Sequence, residues 1–458
     1  MMTPAARSDL QTLFGNRLSV SAAVLAEHGQ SESLMTAGLP DAVVFPNSTA
    51  EVVALTQIAT RHRLPLIGWG AGTSLEGHAL ALQGGISVDF RNMAGVLEVR
   101  PEDRLVRVQP GLTREALNLD LRTTGMFFPV DPGANASIGG MAATRASGTT
   151  AVRYGTMRAN VVALEVVLAD GRVIRTGSGA PKSSAGYDLT ALFVGSEGTL
   201  GLITELTLRL HGLPEAVSAA VAVFATLEAA VDCVIAAIQM GIPAARIEFL
   251  DPATVAACNA YSGTNLPAAP QLLLEFHGSP ASVAEDAARF QELATSFGAG
   301  DFRWAEAQED RNRLWKMRHQ AYPAILASRP GARAIVTDVC VPISALARAV
   351  EETRNDIAAS GIPGPILGHV GDGNFHAILL VEPDDAAEIA TAKDLAARMA
   401  ARALRLGGTI TGEHGVGFGK LPYMAAEHGE AWSVMGAIKR ALDPLDLMNP
   451  GKLVPQTD

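Results

Sequence analysis

The ten residues Gly68-Trp69-Gly70-Ala71-Gly72-Thr73-Ser74-Leu75-Glu76-Gly77 come directly after Leu64 to Ile67, a short apolar run that predicts a strand. Glycines in this position let the backbone approach a ligand closely and point successive N–H groups at one anion, which is typical of a pyrophosphate-binding loop. It is not a Rossmann fingerprint, because Leu75 stands where that motif requires a glycine and no acidic residue follows at the required spacing. Taken alone, the stretch is equally compatible with an ordinary glycine-rich turn.

Two further stretches of the first half have the same small and nearly uncharged composition. One runs from Pro129 to Thr149, and the other runs from Gly195 to Ile203. A long segment with little side-chain bulk can line a flat, extended ligand with backbone groups, although such segments can also be turns packed against strands. Three of them in one half of the chain favour a large nucleotide cofactor over three coincidental loops.

A different pattern marks the second half, where Gly368-His369-Val370-Gly371-Asp372-Gly373-Asn374-Phe375-His376 is followed by Gly412-Glu413-His414-Gly415. Asp372-Gly373 predicts a two-residue type I′ turn, which would place His369 opposite His376 with Cβ atoms about 5 Å apart. Two imidazoles so placed can share a metal ion, and Glu413 would complete a two-histidine, one-carboxylate site with open positions. A satisfied polar pair beside an ordinary loop is the alternative, but ionisable clusters concentrate at functional sites.

Length and composition limit the classes of protein. The 458 residues are too many for one compact core and predict two or three domains. A net charge of −11 and the lack of a dense Lys/Arg run argue against a nucleic-acid partner. Three scattered cysteines predict free thiols in a reducing compartment. No apolar run approaches the roughly 20 residues of a membrane-spanning helix. We therefore expect a cytoplasmic protein, with peripheral contact at the inner face of a membrane left open.

The order of predicted elements changes along the chain. Strands and helices alternate as far as the strand Ile203 to Leu210, and Pro214 predicts a domain boundary. Strand–helix–strand units then predict a split βαβ, ferredoxin-like layer. The later elements are predicted as a helix over 308–327, a strand over 332–341, helices over 343–360 and 384–406, and a terminal helix within 435–453.

Together these residues resemble the FAD-dependent D-2-hydroxy-acid dehydrogenases, which are flavoproteins of the vanillyl-alcohol-oxidase type. The resemblance covers nearly the whole chain. The three glycine-rich stretches are similar to the family's FAD-binding half, and the segments 368–376 and 412–415 are similar to its metal and active-site signatures. Asn449-Pro450-Gly451-Lys452 resembles its terminal motif. Segments 315–319 and 337–342 are most similar to the D-lactate dehydrogenases that pass electrons to a cytochrome or a quinone.

The resemblance implies an α+β fold. It implies an FAD-binding domain of two subdomains over 1–214, a ferredoxin-like α+β cap domain with the metal ligands over 215–410, and a C-terminal segment, 411–458, that returns to the FAD domain. FAD is expected to be non-covalent, because Thr73 stands where some such flavoproteins have a flavin-bonded histidine. Arg145 stands where many relatives have a small or amide residue, and its effect on FAD is left open. The implied FAD contacts are Gly70, Ala71, Gly72, Thr73, Ser74, Gly77, Pro132, Gly133, Ile138, Gly139, Gly140, Ala143, Thr144, Gly148, Gly198, Ile203 and Asn449.

The resemblance also implies the roles of the active-site residues. His414 matches the general base, Arg318 the arginine that holds the substrate carboxylate, and Asn374 an amide near the substrate. The metal is expected to be zinc, with manganese or iron as alternatives, because a redox-inert Lewis acid suffices. The residues that match its ligands are His369, His376 and Glu413.

Tyr322 and Val336 mark a departure from the related D-2-hydroxyglutarate dehydrogenases, which have a threonine and a lysine for a second substrate carboxylate. An unpaired carboxylate there would be costly to desolvate, so a monocarboxylate is expected. The predicted reaction is oxidation of a D-2-hydroxy monocarboxylic acid, D-lactate first, to the 2-oxo acid by metal-assisted hydride transfer to FAD. The expected electron acceptor is a cytochrome, a quinone or an electron-transfer flavoprotein, and a homodimer is compatible with the sequence. Alternatives left open are D-2-hydroxyglutarate or glycolate as substrate, a non-catalytic flavin subunit of an oxidase complex, and a metallohydrolase.

Overall fold

A computed structural model describes residues 2–35, 38–305 and 307–455. The chain forms two compact units. The first contains the described residues up to Ser147, Thr156–Leu213 and the described residues from Glu413 onward. The second contains Gly148–Gly155 and Pro214–Gly412.

Helices and strands are mixed throughout the described chain, as the α+β expectation requires. In chain order the strands β1 to β19 are Leu18–Ser19, Ala42–Val44, Leu66–Trp69, Ile86–Asp89, Val96–Arg100, Leu105–Val108, Met126–Phe127, Val161–Val167, Val173–Gly177, Leu202–Arg209, His211–Gly212, Ala216–Val223, Ala244–Leu250, Gln271–Gly278, Phe302–Ala305, Arg333–Val336, Val339–Cys340, Ile366–Gly368 and Asn374–Val381. The helices α1 to α17 are Pro4–Phe14, Ala22–Glu27, Thr49–His62, Arg114–Leu121, Ile138–Thr144, Ala151–Tyr154, Met157–Asn160, Leu189–Phe193, Leu227–Gln239, Pro252–Ser262, Pro280–Ser296, Gln308–His319, Ala321–Ala327, Leu346–Ser360, Ala386–Arg405, Leu421–His428 and Glu430–Leu442. No described helix is both long and apolar enough to cross a bilayer.

The first unit contains two larger sheets. One has the order β1-β2-β4-β3, with β4 parallel to both β2 and β3. Helix α3 connects β2 to β3; the hydroxyl of Ser48 caps it by accepting from the N–H of Glu51, and Val52 and Leu55 are buried. The other sheet is antiparallel, in the order β5-β6-β10-β8-β9, and α4, α5 and α8 contribute to its core. Strands β3 and β10 thus hold the first and third glycine-rich stretches at their ends.

The second unit has one antiparallel sheet in the order β15-β12-β14-β13-β18-β19-β16, with β17 also paired to β19. The succession β12-α9-β13-β14-α11-β15 confirms the predicted ferredoxin-like layer, into which α10 is inserted. Residues of α10, α12 and α13 pack on one face of this sheet together with Leu273, Leu367 and Ile378. That face carries the polar residues described below.

Two predictions about elements of the second unit were wrong, and one helix was missed. Helix 308–327 is two helices that meet at Gln320, because Pro323 has no N–H with which to continue the first helix. The strand predicted over 332–341 is interrupted at Thr337 and Asp338. Helix α10 was missed, although Asp251 caps it and Pro252 occupies its first turn, as the usual start signals require.

Candidate active site

The hairpin β18–β19 carries both histidines, but its register differs from the prediction. His376 pairs with Leu367 rather than with His369. The connection is a 3₁₀ turn over Val370–Asp372 that ends at Gly373, with φ +79°. A type I′ turn needs positive φ at both central residues, and Asp372 does not adopt it, so the predicted opposition of His369 and His376 was wrong.

The two imidazoles nevertheless come together. Their ring centroids are 5.6 Å apart with an angle of 84° between the planes, and a ring nitrogen of each lies within 4.8 Å of the other. Nδ1 of His369 is 2.7 Å from Oε1 of Glu248, and Nδ1 of His376 is 3.1 Å from the carbonyl oxygen of Thr337. Both partners are acceptors, so each Nδ1 donates, and a neutral ring then has its lone pair on Nε2. Metal-binding histidines are held in this way, so the pair fits a divalent metal.

Glu248 on β13 is a buried residue of this cluster that the sequence analysis missed. Its side chain is fully buried, and its second oxygen, Oε2, forms an ion pair with Nη2 of Arg318 at 2.6 Å. One carboxylate therefore holds both His369 and Arg318. The available signal was an acid two residues before Leu250, which places it on the same face of the strand as an apolar, buried residue.

Arg318 lies in the last turn of α12, and its side chain is 9% exposed. Its Nε has no hydrogen-bond partner among the described residues. A buried N–H without an acceptor costs about 1–3 kcal/mol. One end of the guanidinium contacts Glu248, and the Nε–H is a buried donor. The group therefore fits an anionic ligand such as a carboxylate.

Asn374, at the start of β19, is buried and held by its amide nitrogen. Nδ2 donates to Oδ1 of Asp338 at 2.7 Å and to the carbonyl of Val339 at 2.9 Å, so Oδ1 is the acceptor that remains. Oδ1 has no partner in the described part of the chain. Asp338 also accepts from the hydroxyl of Thr411 at 2.6 Å and lies 3.6 Å from Nδ1 of His376. Asp338 is thus a second residue whose role the sequence did not reveal.

Gly412 brings the chain to this cluster just before the second unit ends. A Cβ on Gly412 would lie 2.1 Å from Nδ2 of Asn374, so only glycine allows so close an approach. Glu413 and His414 follow as the first residues of the other unit.

Tyr322 and Val336 are half-buried and pack against the core cluster that contains Trp315 and Ile378. Val336 pairs with Ile378 across β16 and β19. Ile378 is two residues from His376 on β19, so their side chains share a face of the sheet. The side of the cluster next to His376 is therefore largely apolar.

In the first unit, the first two glycine-rich stretches are in contact. A Cβ on Gly70 would lie 2.1 Å from Oγ of Ser137, which caps α5. A Cβ on Gly139 would lie 2.5 Å from Cβ of Pro110 and 2.9 Å from its carbonyl oxygen. Glycine is favoured at both positions because the neighbouring residue lies directly against the backbone.

The second and third stretches are joined through Arg145, which ends α5 with φ +57°. Its Nε and Nη2 donate to the carbonyl oxygen of Val194 at 3.1 and 2.9 Å. The N–H of Gly195 donates to the carbonyl of Ala142 at 2.9 Å. The guanidinium of Arg145 is therefore engaged in joining two stretches of backbone.

The terminal motif contacts the first and third stretches. Nδ2 of Asn449 donates to the carbonyls of His78 and Glu197 at 3.0 and 2.7 Å, and Nζ of Lys452 donates to those of His78 and Leu80 at 2.8 and 2.6 Å. Both amide hydrogens of Asn449 are therefore used by backbone carbonyls. The stretches and the motif form one connected framework that fits a large nucleotide. Of the implied FAD contacts, Gly148 lies in the second unit instead.

Family comparisons agree with this geometry. A family described as "FAD binding domain" matches residues 40–177, and one described as "FAD linked oxidases, C-terminal domain" matches residues 213–453. The chain belongs to the FAD-linked oxidase family. It is an FAD-dependent oxidoreductase, and the expected resemblance is confirmed.

Several curated relatives align over most of the chain. The probable mitochondrial D-lactate dehydrogenase of Danio rerio is 51% identical over 444 residues, covering 96% of this chain and 89% of the relative. The mitochondrial D-lactate dehydrogenase [cytochrome] of Arabidopsis thaliana is 44% identical, covering 98% and 80%. Glycolate oxidase subunit GlcD of Bacillus subtilis is 36% identical, covering 91% and 89%.

Solved structures confirm the fold. A 4-ethylphenol oxidase from Gulosibacter chungangensis superposes with a TM-score of 0.81 at 20% identity, covering 98% of this chain and 96% of that one. A p-cresol methylhydroxylase superposes with a TM-score of 0.78 at 16% identity, covering 98% and 96%. The expected fold of the vanillyl-alcohol-oxidase type is therefore correct.

Proposed function

We propose that this member of the FAD-linked oxidase family oxidises a D-2-hydroxy monocarboxylic acid, D-lactate first, to the 2-oxo acid and passes the electrons to a cytochrome. Relatives named D-lactate dehydrogenase support the reaction, and the one from Arabidopsis thaliana is named with a cytochrome. The observation that carries the substrate class is Glu248, whose one buried carboxylate holds both Arg318 and His369. A carboxylate-binding group and a metal-binding group are thereby fixed to each other, as a 2-hydroxy acid requires.

Arg318 would bind the carboxylate of the acid. Glu248 lies on Nη2, and the buried Nε–H is a donor that a substrate oxygen can accept from. The planar guanidinium can present two parallel donors, which a lysine ammonium cannot. Because Glu248 lies at Nη2, the substrate carboxylate would bind on the Nε side of the guanidinium.

His369 and His376 would hold a divalent metal through Nε2, with Glu413 as the third ligand. Their donated Nδ1 protons support this assignment. Two imidazoles and a carboxylate suit zinc, and also manganese or iron. When bound, such an ion would supply Lewis acidity that lowers the pKa of the 2-hydroxyl group.

Asn374 and His414 would act on the 2-hydroxyl itself. Oδ1 of Asn374 is an acceptor, so it suits a hydroxyl and would repel a carboxylate oxygen. His414 would take the hydroxyl proton as the general base. The C2–H bond then breaks with its electron pair, and the C2–O bond becomes a carbonyl. FAD, when bound, would supply the acceptor for that hydride.

Tyr322, Val336 and Ile378 favour a short apolar substituent on C2. A second carboxylate against this partly apolar wall would lose hydration without gaining a cation, which argues against D-2-hydroxyglutarate. Glycolate is the second candidate, because GlcD subunits of glycolate oxidase are among the relatives. Glycolate has no substituent on C2, so it would leave this wall uncovered.

The reaction is tested by adding 2-hydroxy acids anaerobically to the purified FAD-loaded protein and following the visible absorbance of the flavin. D-Lactate should bleach it, glycolate should do so more slowly, and L-lactate should not. Fastest bleaching by D-2-hydroxyglutarate would overturn the substrate assignment, and no bleaching by any acid would overturn the function. Reoxidation by cytochrome c, a quinone or an electron-transfer flavoprotein would then distinguish the acceptors. Mass spectrometry of bound metals would distinguish zinc from manganese and iron.

The cellular compartment and a homodimer remain predictions. Two relatives are named as mitochondrial. Fractionation of the source cells would test the expected cytoplasmic location against an organellar one, and light scattering would test the dimer.

A further inference from the structure

Glu197, in the third glycine-rich stretch, has a backbone conformation that favours glycine. Its φ is +55°, and its side chain is buried. A residue with a Cβ in the left-handed region carries a steric cost that glycine would avoid. Such strain persists where the surroundings hold the residue in place, and it points to a use for this side chain.

The carboxylate of Glu197 holds the backbone just after His414. Oε1 accepts from the N–H of Val416 at 2.7 Å, and Oε2 accepts from the N–H of Gly417 at 2.8 Å. Nε2 of His78 lies 3.3 Å from Oε1. Burial alone would raise the pKa of Glu197, but His78 and the two N–H groups hold that pKa below its ordinary value. The anchor is therefore a charged, doubly bonded carboxylate.

The glycines of this segment lie where its backbone passes very close to neighbouring residues. A Cβ on Gly415 would lie 2.7 Å from both Oε1 of Glu197 and Nε2 of His78, and the φ of Gly415 is +79°. A Cβ on Gly417 would lie 1.9 Å from the carbonyl oxygen of Glu76. The backbone thus passes against the carboxylate on one side and against the first glycine-rich stretch on the other.

Glu197 is itself fixed by the cofactor stretches. Its N–H donates to the carbonyl of Ala143 at 2.9 Å, and its carbonyl accepts from Nδ2 of Asn449 at 2.7 Å. The carbonyl of His78 accepts from Asn449 and Lys452. Ala143, His78, Glu197 and the terminal motif all belong to the first unit. Glu197 is therefore hydrogen-bonded both to the framework that fits FAD and to the segment after His414.

We propose that Glu197 is a positioning residue for His414, because its carboxylate fixes the peptide from Gly415 to Gly417 that follows the base. The role of His414 rests on the proposed function, whereas the anchoring of the peptide does not. Since Arg318 and His369 are held by Glu248 in the second unit, loss of this anchor should lower kcat far more than it weakens substrate binding.

Glu197→Gln is the test, because an amide of the same shape cannot accept from both backbone N–H groups. The expected result is a kcat for D-lactate lowered about 100-fold, the scale of a misplaced catalytic group. The KM for D-lactate and the FAD content should stay within about twofold, and the isotope effect with C2-deuterated D-lactate should rise. Amide hydrogen exchange of residues 413–419 should accelerate.

Glu165→Gln is the matched control in the same unit. Glu165 is also buried, and it accepts from the hydroxyls of Thr49 and Thr204 and pairs with Arg175. It should leave kcat and the exchange of 413–419 unchanged. If Glu197→Gln does not fold, Gly415→Ala perturbs the same contact from the other side and should give the same fall in kcat.

Unchanged kcat and unchanged exchange in a folded Glu197→Gln variant would overturn the proposal. A rise in the KM of Glu197→Gln without a fall in its kcat would also overturn it, as would an equal loss of kcat in Glu165→Gln. If the wild-type flavin is reduced by no 2-hydroxy acid, the proposed function fails separately. The exchange of residues 413–419 in Glu197→Gln then still decides whether the anchor exists.

Discussion

Replacing Glu248 by glutamine removes the charge that joins Arg318 to His369 while it keeps the shape of the side chain. Glutamine has one side-chain oxygen, whereas the carboxylate has two, one 2.6 Å from Nη2 of Arg318 and the other 2.7 Å from Nδ1 of His369. The charged guanidinium binds that oxygen more strongly than a neutral imidazole does, so the amide nitrogen faces Nδ1 of His369. Nδ1 then has to accept, which moves the ring proton to Nε2 and removes the lone pair that a metal needs.

The expected losses of metal affinity and of stability can be taken from hydrogen-bond and ion-pair partners in other proteins. Loss of a group that orients a metal-binding histidine typically lowers metal affinity about 10- to 100-fold, or about 1.4 to 2.8 kcal/mol. Breaking a buried ion pair costs about 3–5 kcal/mol of stability when it leaves an uncompensated charge, and this is an upper limit here because the amide oxygen still contacts Arg318. We expect both effects in Glu248→Gln.

The assay is metal retention during titration with a chelator, read by mass spectrometry, together with chemical unfolding. Glu275→Gln is the matched control, because Glu275 on the neighbouring strand β14 also contacts a histidine and an arginine, His277 at 2.7 Å and Arg246 at 3.3 Å. Unchanged metal affinity in Glu248→Gln, or an equal loss in Glu275→Gln, would refute the reasoning about the tautomer of His369.

Four other changes have defined outcomes. His369→Ala should remove the metal and nearly all turnover but leave FAD bound; full turnover in a metal-free variant, measured beside the flavin spectrum, would rule out the metal's role. Arg318→Lys should raise the KM for D-lactate at least tenfold, or about 1.4 kcal/mol, because a point charge cannot replace a planar fork, and steady-state kinetics would detect it. Val336→Lys should raise the kcat/KM ratio of D-2-hydroxyglutarate to D-lactate about fivefold, the scale of a partly exposed ion pair, and an unchanged ratio would show that this wall does not face the substituent. Burial lowers the pKa of Lys452 to about 7, so as the pH rises the folded state loses this proton at a lower pH than the unfolded state does. The unfolding free energy of wild type minus that of Lys452→Met should therefore be lowest below pH 7 and should rise with pH until about 10.4. A difference that does not change with pH in chemical unfolding would contradict this.

The sequence by itself determined the features that depend on neighbouring residues. Ser48 caps a helix because its hydroxyl reaches an N–H three residues away, and the period-two strands and the glycine-rich loops follow equally local rules. Residue chemistry and the family resemblance were enough to name His369, His376 and Arg318. The register of the hairpin was wrong because Asp372 was assigned a conformation that only Gly373 adopts.

Only the tertiary structure revealed what holds these residues in place. Glu248 is 121 positions from His369, and Glu197 is 219 positions from Val416. The first contact exists because β13 lies beside β18, and that neighbourhood depends on the order of the whole sheet. The second exists because the end of the chain belongs to the first unit. An acid in a strand has the same local pattern whether it faces water or a buried arginine. The sequence therefore named candidate ligands, and the fold showed which carboxylates contact their neighbourhood.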